Sequence, residues 1–93
     1  MATFVVTYHY RAEQSGERDT HRPAHREYLG SLVEQGTMLS SGAWVDGSGA
    51  TLIVRTGSAA EVEALLGQDP FVVNGLAEHE VREWNPTLGA FSS

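Results

Sequence analysis

The sequence predicts an α+β fold in the order β-α-β-β-α-β, a four-stranded antiparallel sheet with two helices on one face. Three observations carry that expectation. β-Branched and aromatic residues fill 3–10 (TFVVTYHY) and 50–56 (ATLIVRT), as strands require. Apolar residues recur at helical spacing within 22–35 (RPAHREYLGSLVEQ) and again after Ser58. The cluster Asp46-Gly47-Ser48-Gly49 separates two extended stretches, as a hairpin connection does.

The first strand covers residues 3–10, and a polar loop follows from Arg11 to Thr20, carrying Glu13, Glu17, Arg18 and Asp19 around Gly16. The first helix opens at Arg22-Pro23, where the missing proline N–H is not needed, and stops at Gly36. Residues 37–46 and 50–56 make the hairpin strands. Ser58 to Glu61 has the spacing of a capping box, and Val62, Leu65 and Leu66 then share one helical face until Gly67. Asp69-Pro70 begins a short irregular or helical segment reaching Asn74-Gly75. Residues 76–84 read as the last strand. The expectation is one domain over 1–86, a ferredoxin-like sandwich, with a loose tail over 87–93.

Ninety-three residues hold one core, and the absence of Cys and Lys removes several chemistries. Thiolate nucleophiles, disulfides and sulfur-ligated metals need Cys; Schiff bases and pyridoxal phosphate attachment need Lys. A net charge of −6 repels phosphate backbones, so nucleic acid is not an expected partner. No basic leader precedes MATFVVTYHY, and no run nears the roughly 18 apolar residues of a membrane span. The expected setting is the cytoplasm, with no membrane partner.

The first strand puts Phe4, Val6, Tyr8 and Tyr10 on one face and Val5, Thr7 and His9 on the other. Helices on one side leave the second, partly apolar face open, and a second copy of the chain is the economical cover. A homodimer or higher homo-oligomer is therefore expected. The rival reading leaves Thr7 and His9 in solvent.

At about 100° per residue, Tyr28, Leu29, Leu32 and Val33 all fall within roughly 80° of His25. His25 then sits in the apolar arc, one turn inside the helix start. An imidazole there needs a hydrogen-bond partner or a ligand. The helix dipole at that place disfavours the cation, so a neutral base is expected. A satisfied structural histidine is the plainer reading. Asp69 before Pro70 reads as an N-cap, yet it is also the type of residue that orients an imidazole. Spacing alone does not bring the two together.

Other residues have plainer readings. His21 and His25 are four apart, but Pro23 between them places His21 before the helix; a metal site with Asp69 is a third, minor alternative, and no metal is expected. His79 reads as an edge histidine. Arg55 and Arg82 read as partners of surface carboxylates, and Trp44 and Trp84 as core or dimer-interface anchors.

The series Arg22-Pro23-Ala24-His25, Tyr28-Leu29, Gly36, Ser41-Gly42, Asp69-Pro70-Phe71 and Gly75-Leu76 resembles the YCII-related (YciI-like) family. One departure is Ala43, where that family usually has the Pro of Gly-Pro. The resemblance implies the ferredoxin-like fold, dimerisation as a dimeric α+β barrel, and a His–Asp centre at His25 and Asp69. It also implies lyase or isomerase chemistry, including dehydrochlorination, on intermediates of aromatic degradation. With Cys and Lys absent, proton transfer by an imidazole supported by a carboxylate is what remains. The expected enzyme uses no cofactor. His25 acts as base, Asp69 orients it, and Tyr8 or Arg22 binds a small cyclic or phenolic molecule. The alternative is a non-catalytic small-ligand-binding or accessory module using the same pocket; an accessory module would have His25 fully packed, with no cavity beside it.

Overall fold

The computed structural model describes residues 1–92. It runs β1 (Ala2–His9), a single 3-10 turn (Ala12–Gln14), α1 (Ser15–Glu34), β2 (Met38–Ala43), β3 (Gly49–Thr56), α2 (Ala59–Leu66), α3 (Pro70–Val73) and β4 (Glu78–Trp84). The strands form one antiparallel sheet in the order β2-β3-β1-β4, the ferredoxin-like arrangement. Val6 faces Leu52 on one side and Val81 on the other, and Phe4 faces Val54. Phe4, Val6 and Tyr8 pack with Leu29 and Leu32 of α1 and with Val62 and Leu66 of α2. Each such side chain contributes about 1.5–3 kcal/mol by leaving water.

The largest departure from expectation is the start of α1. The helix begins at Ser15, so Pro23 lies inside it. An interior proline lacks one helical hydrogen bond and costs about 3 kcal/mol. Contacts from other elements hold the extra turns in place. Arg18, expected in a polar loop, is buried with its guanidinium 4.5 Å over the Tyr10 ring and Nη1 3.5 Å from the Leu76 carbonyl oxygen. Gln14 Nε2 donates to the Gly75 carbonyl at 3.2 Å. His25 is consequently nearly three turns into the helix, beyond reach of the N-terminal dipole, which acts within the first turn.

The other ends follow their caps. Ser58 Oγ accepts from the Glu61 N–H at 3.3 Å, and Glu61 reaches back to the Gly57 N–H at 3.2 Å. Gly36, at φ 78°, ends α1 in the left-handed conformation. Gly49 has a different role: a Cβ there would lie 1.9 Å from the Tyr8 carbonyl oxygen. The bare backbone lets β3 approach β1 where Tyr8 is seated. The Tyr10 N–H continues the pairing, donating to the Ser48 carbonyl at 2.8 Å.

Val5 and Ile53 lie opposite each other on the face away from the helices, between Thr7–Thr51 and Thr3–Arg55. Trp44 is 53% and Trp84 41% exposed, so neither is a core residue of the single chain. Arg55 donates to Thr3 Oγ1 and to the Phe91 carbonyl at 2.9 Å, not to a carboxylate. Arg82 has no ion-pair partner among the described residues. The Arg55 bond and the edge of Phe91 against Trp84 tie back part of the tail expected to be loose over 87–93; residue 93 lies outside the described residues.

Candidate active site

Asp69 is where three elements converge. The turn after α2 places it as N-cap of α3, with Pro70 at the first helical position. It is fully buried, and a buried carboxylate must be satisfied by donors. Oδ1 accepts from the Phe71 N–H at 3.1 Å and pairs with His25 Nδ1 at 2.7 Å. Oδ2 accepts from the Tyr8 hydroxyl at 2.7 Å. The capping role and the imidazole-orienting role, separate possibilities in the sequence, belong to the same carboxylate.

A carboxylate only accepts, so Nδ1 of His25 carries a proton, and in the neutral ring Nε2 is the nitrogen with the free lone pair. Nε2 has no hydrogen-bond partner among the described residues, and no buried side-chain nitrogen or oxygen there lacks one. Nε2 therefore meets open space. The His25 ring stacks on Phe71, centroids 3.8 Å apart and planes within 3°. Tyr10 meets Phe71 edge-on at 5.8 Å. This stack and the Asp69 bond fix the imidazole in two directions.

The open space is a cleft of about 340 Å³ between α1 and the end of β2. His25, Phe71, Tyr10, Arg22, Arg26 and Ser41 line it, with Leu29, Val33 and Ala50 as apolar walls. Ala43, which departs from the family pattern, is also on this wall. Arg22 pairs with Asp19 one turn earlier.

Tyr8 is wholly buried and is not a cleft residue: its hydroxyl is committed to Asp69. Tyr10, two residues along the same strand face, takes the place at the cleft that Tyr8 was expected to fill. The alternation of β1 carried that signal, since both tyrosines share a face. Phe71 was part of the Asp-Pro-aromatic motif without a role of its own. Arg26 carried no signal, because it falls on the polar side of the helical wheel. His79 is half-buried and pairs with Glu63 of α2 at 2.5 Å. Among the described residues no three His, Asp or Glu side chains gather as a metal-binding set, His21 with His25 and Asp69 included. No described helix is long and apolar enough to cross a membrane.

Burial pushes the Tyr8 hydroxyl far above its ordinary value near 10, and the Asp69 carboxylate raises it further. Tyr10 and Tyr28 are raised too, again mainly by burial, although Arg18 and Arg22 partly offset this at Tyr10. Above pH 10 the unfolded chain loses these protons while the folded chain keeps them. The folded state then binds more protons, and stability falls as pH rises. Below pH 10 this contribution is fully present and constant. For the fully buried Tyr8 the expected loss is up to about 1.4 kcal/mol per pH unit, and the two partly exposed tyrosines add less because solvent screens them. Urea titrations at about pH 9 and pH 11 measure it, and Tyr8→Phe should shrink the difference.

Fold and cleft together define a small ferredoxin-like protein with an oriented, accessible histidine. The chain belongs to the YCII-related domain family, which matches residues 2–85. Among solved structures it is similar to 5-chloro-2-hydroxyhydroquinone dehydrochlorinase (TftG) from Burkholderia phenoliruptrix AC1100, in complex with 2,5-dihydroxybenzoquinone. The TM-score is 0.80 at 25% identity, covering 89% of this chain and 93% of that one. No curated protein matches the chain.

Proposed function

We infer that this protein is an enzyme of the lyase or isomerase type, moving a proton on a small cyclic or phenolic metabolite, with dehydrochlorination of a hydroquinone as the leading reaction. The observation that carries this reading is His25 on the wall of the cleft with its Nδ1 held by a buried carboxylate, which leaves Nε2 as the nitrogen that can act as a base. An accessory module would have packed His25 without a cavity; here the histidine lines one. The similar structure named a dehydrochlorinase supplies the reaction class.

In such a step a ring hydroxyl proton first moves to the carbon that bears chlorine, giving the keto form with a tetrahedral C–Cl carbon, and Nε2 then takes a proton from a remaining ring hydroxyl. The electron pair passes through the ring, and chloride leaves with the C–Cl bonding pair. A proton and a chloride are lost, the ring becomes a quinone, and the electrons balance without an external oxidant. Arg22 and the protonated Tyr10 hydroxyl face the cleft and hold the ring oxygens, while Tyr8 acts on the histidine only through Asp69. Incubating the protein with 5-chloro-2-hydroxyhydroquinone and its non-chlorinated parent tests the reading. Chloride release with growth of quinone absorbance is expected from the first alone. A rate no faster than in buffer with the chlorinated compound overturns dehydrochlorination.

The working form in this reading is a homodimer joined through the open sheet face around Val5 and Ile53, with Trp44 and Trp84 at its margins. Sedimentation should give twice the chain mass, and Ile53→Asp should shift it to the monomer. A wild-type monomer at micromolar concentration removes this part of the proposal.

A further inference from the structure

We propose that the cleft selects a planar organic anion and that Arg26 is the residue that reads its charge. This rests on the enzymatic reading above and names the substrate class for the same cleft. The whole chain carries −6, with twelve acidic residues, yet none of the residues lining the cleft is acidic. Two of its six arginines line it instead. The carboxylate behind the cleft, Asp69, is fully buried and already engaged by three donors. A ligand therefore meets positive charge against a negative protein.

Arg22 and Arg26 stand four residues apart on one helix, the spacing at which like charges repel. Arg22 has Asp19 to offset this. Arg26 has no ion-pair partner among the described residues. An ionised phenol, enol or carboxylate between the two guanidiniums turns that repulsion into charge-assisted hydrogen bonding. The rest of the ligand has room beside them. Gly30 on α1 and Gly42 on β2 both line the cleft, and a Cβ built on either would meet nothing within 4 Å. Phe71, Leu29 and Val33 supply apolar walls for a flat body. The volume, about 340 Å³, lies at the small end of ligand sites, suited to a single ring.

Arg26 is exposed on the helix surface and outside the core, so its substitution leaves the fold intact. The experiment is calorimetric titration of wild type and Arg26→Gln with two anions and their uncharged derivatives. The pairs are 2,5-dihydroxybenzoquinone against 2,5-dimethoxybenzoquinone, and benzoate against methyl benzoate, at pH 7. Wild type should bind at least one anion tenfold or more tightly than its uncharged partner. Arg26→Gln should remove most of that preference while leaving the uncharged compounds unchanged. Neither anion being preferred by wild type, or a preference that survives Arg26→Gln, overturns the proposal. His25→Gln, titrated alongside, should keep the preference; its turnover alone reports on the proton-transfer reading, so the two can fail separately.

Discussion

His25→Gln is expected to lower kcat by about 10²–10⁴-fold, the usual contribution of a positioned general base, with a much smaller change in KM. Glutamine can still donate to Asp69, but its amide offers no basic lone pair to the cleft. The chain should fold, since the side chain replaced is at the edge of the core and not its centre. The stack on Phe71 is lost, so a stability decrease of about 1–2 kcal/mol accompanies the change. Steady-state kinetics and a urea titration on the same preparation separate the two effects. Added imidazole should restore part of the rate in His25→Ala, where the vacated space adjoins the cleft. Turnover equal to wild type in His25→Gln would sink the assignment of the base.

Asp69→Ala is expected to have the largest effect on stability. The substitution strands three donors at once, the Tyr8 hydroxyl, His25 Nδ1–H and the Phe71 N–H. Removing one partner of a buried, hydrogen-bonded charge costs about 3–5 kcal/mol, a large share of the 5–15 kcal/mol that holds a typical domain. Asp69→Asn gives a gentler reading of the same site. Its single carbonyl oxygen can serve Phe71 and His25, while its NH₂ turns Tyr8 from donor to acceptor and leaves the phenolic proton unplaced. A loss of about 1–3 kcal/mol is expected, with kcat down by about 10²-fold or more because the imidazolium formed in the reaction loses its counter-charge. Urea midpoints and kcat together check this. Full stability with full turnover in Asp69→Asn would show that the carboxylate neither anchors the fold nor orients the base.

Much of this arrangement was legible in the residues. The helical phase placed His25 among Leu29 and Leu32, and Asp69 ahead of Pro70 marked a cap. Their meeting was not legible from spacing, because 44 residues separate them and only the packing of α3 on α1 closes the gap. Pro23 suits a first turn so well locally that the sequence points to a helix start at Arg22, seven residues after the true start at Ser15. What overrides it is tertiary: Arg18 is lodged over the ring of Tyr10, just past the end of β1. Tyr8 and Tyr10 present the same face to any pattern analysis. Only the position of Asp69 decides that one is locked behind the histidine and the other faces the cleft.

The convergence on Asp69 also sets an order of events in the life of each chain. Tyr8 and His25 precede Asp69 by 61 and 44 residues, so both leave the ribosome while their acceptor is still unmade. Until then a phenol and an imidazole destined for burial have only water as partner, and β1 and α1 have little reason to settle. The last third of the chain delivers the carboxylate, the Phe71 ring and the strand that completes the sheet beside β1. Folding of the sheet and arming of the histidine thus fall together, and a nascent chain stopped before Asp69 carries the base but not the means to use it.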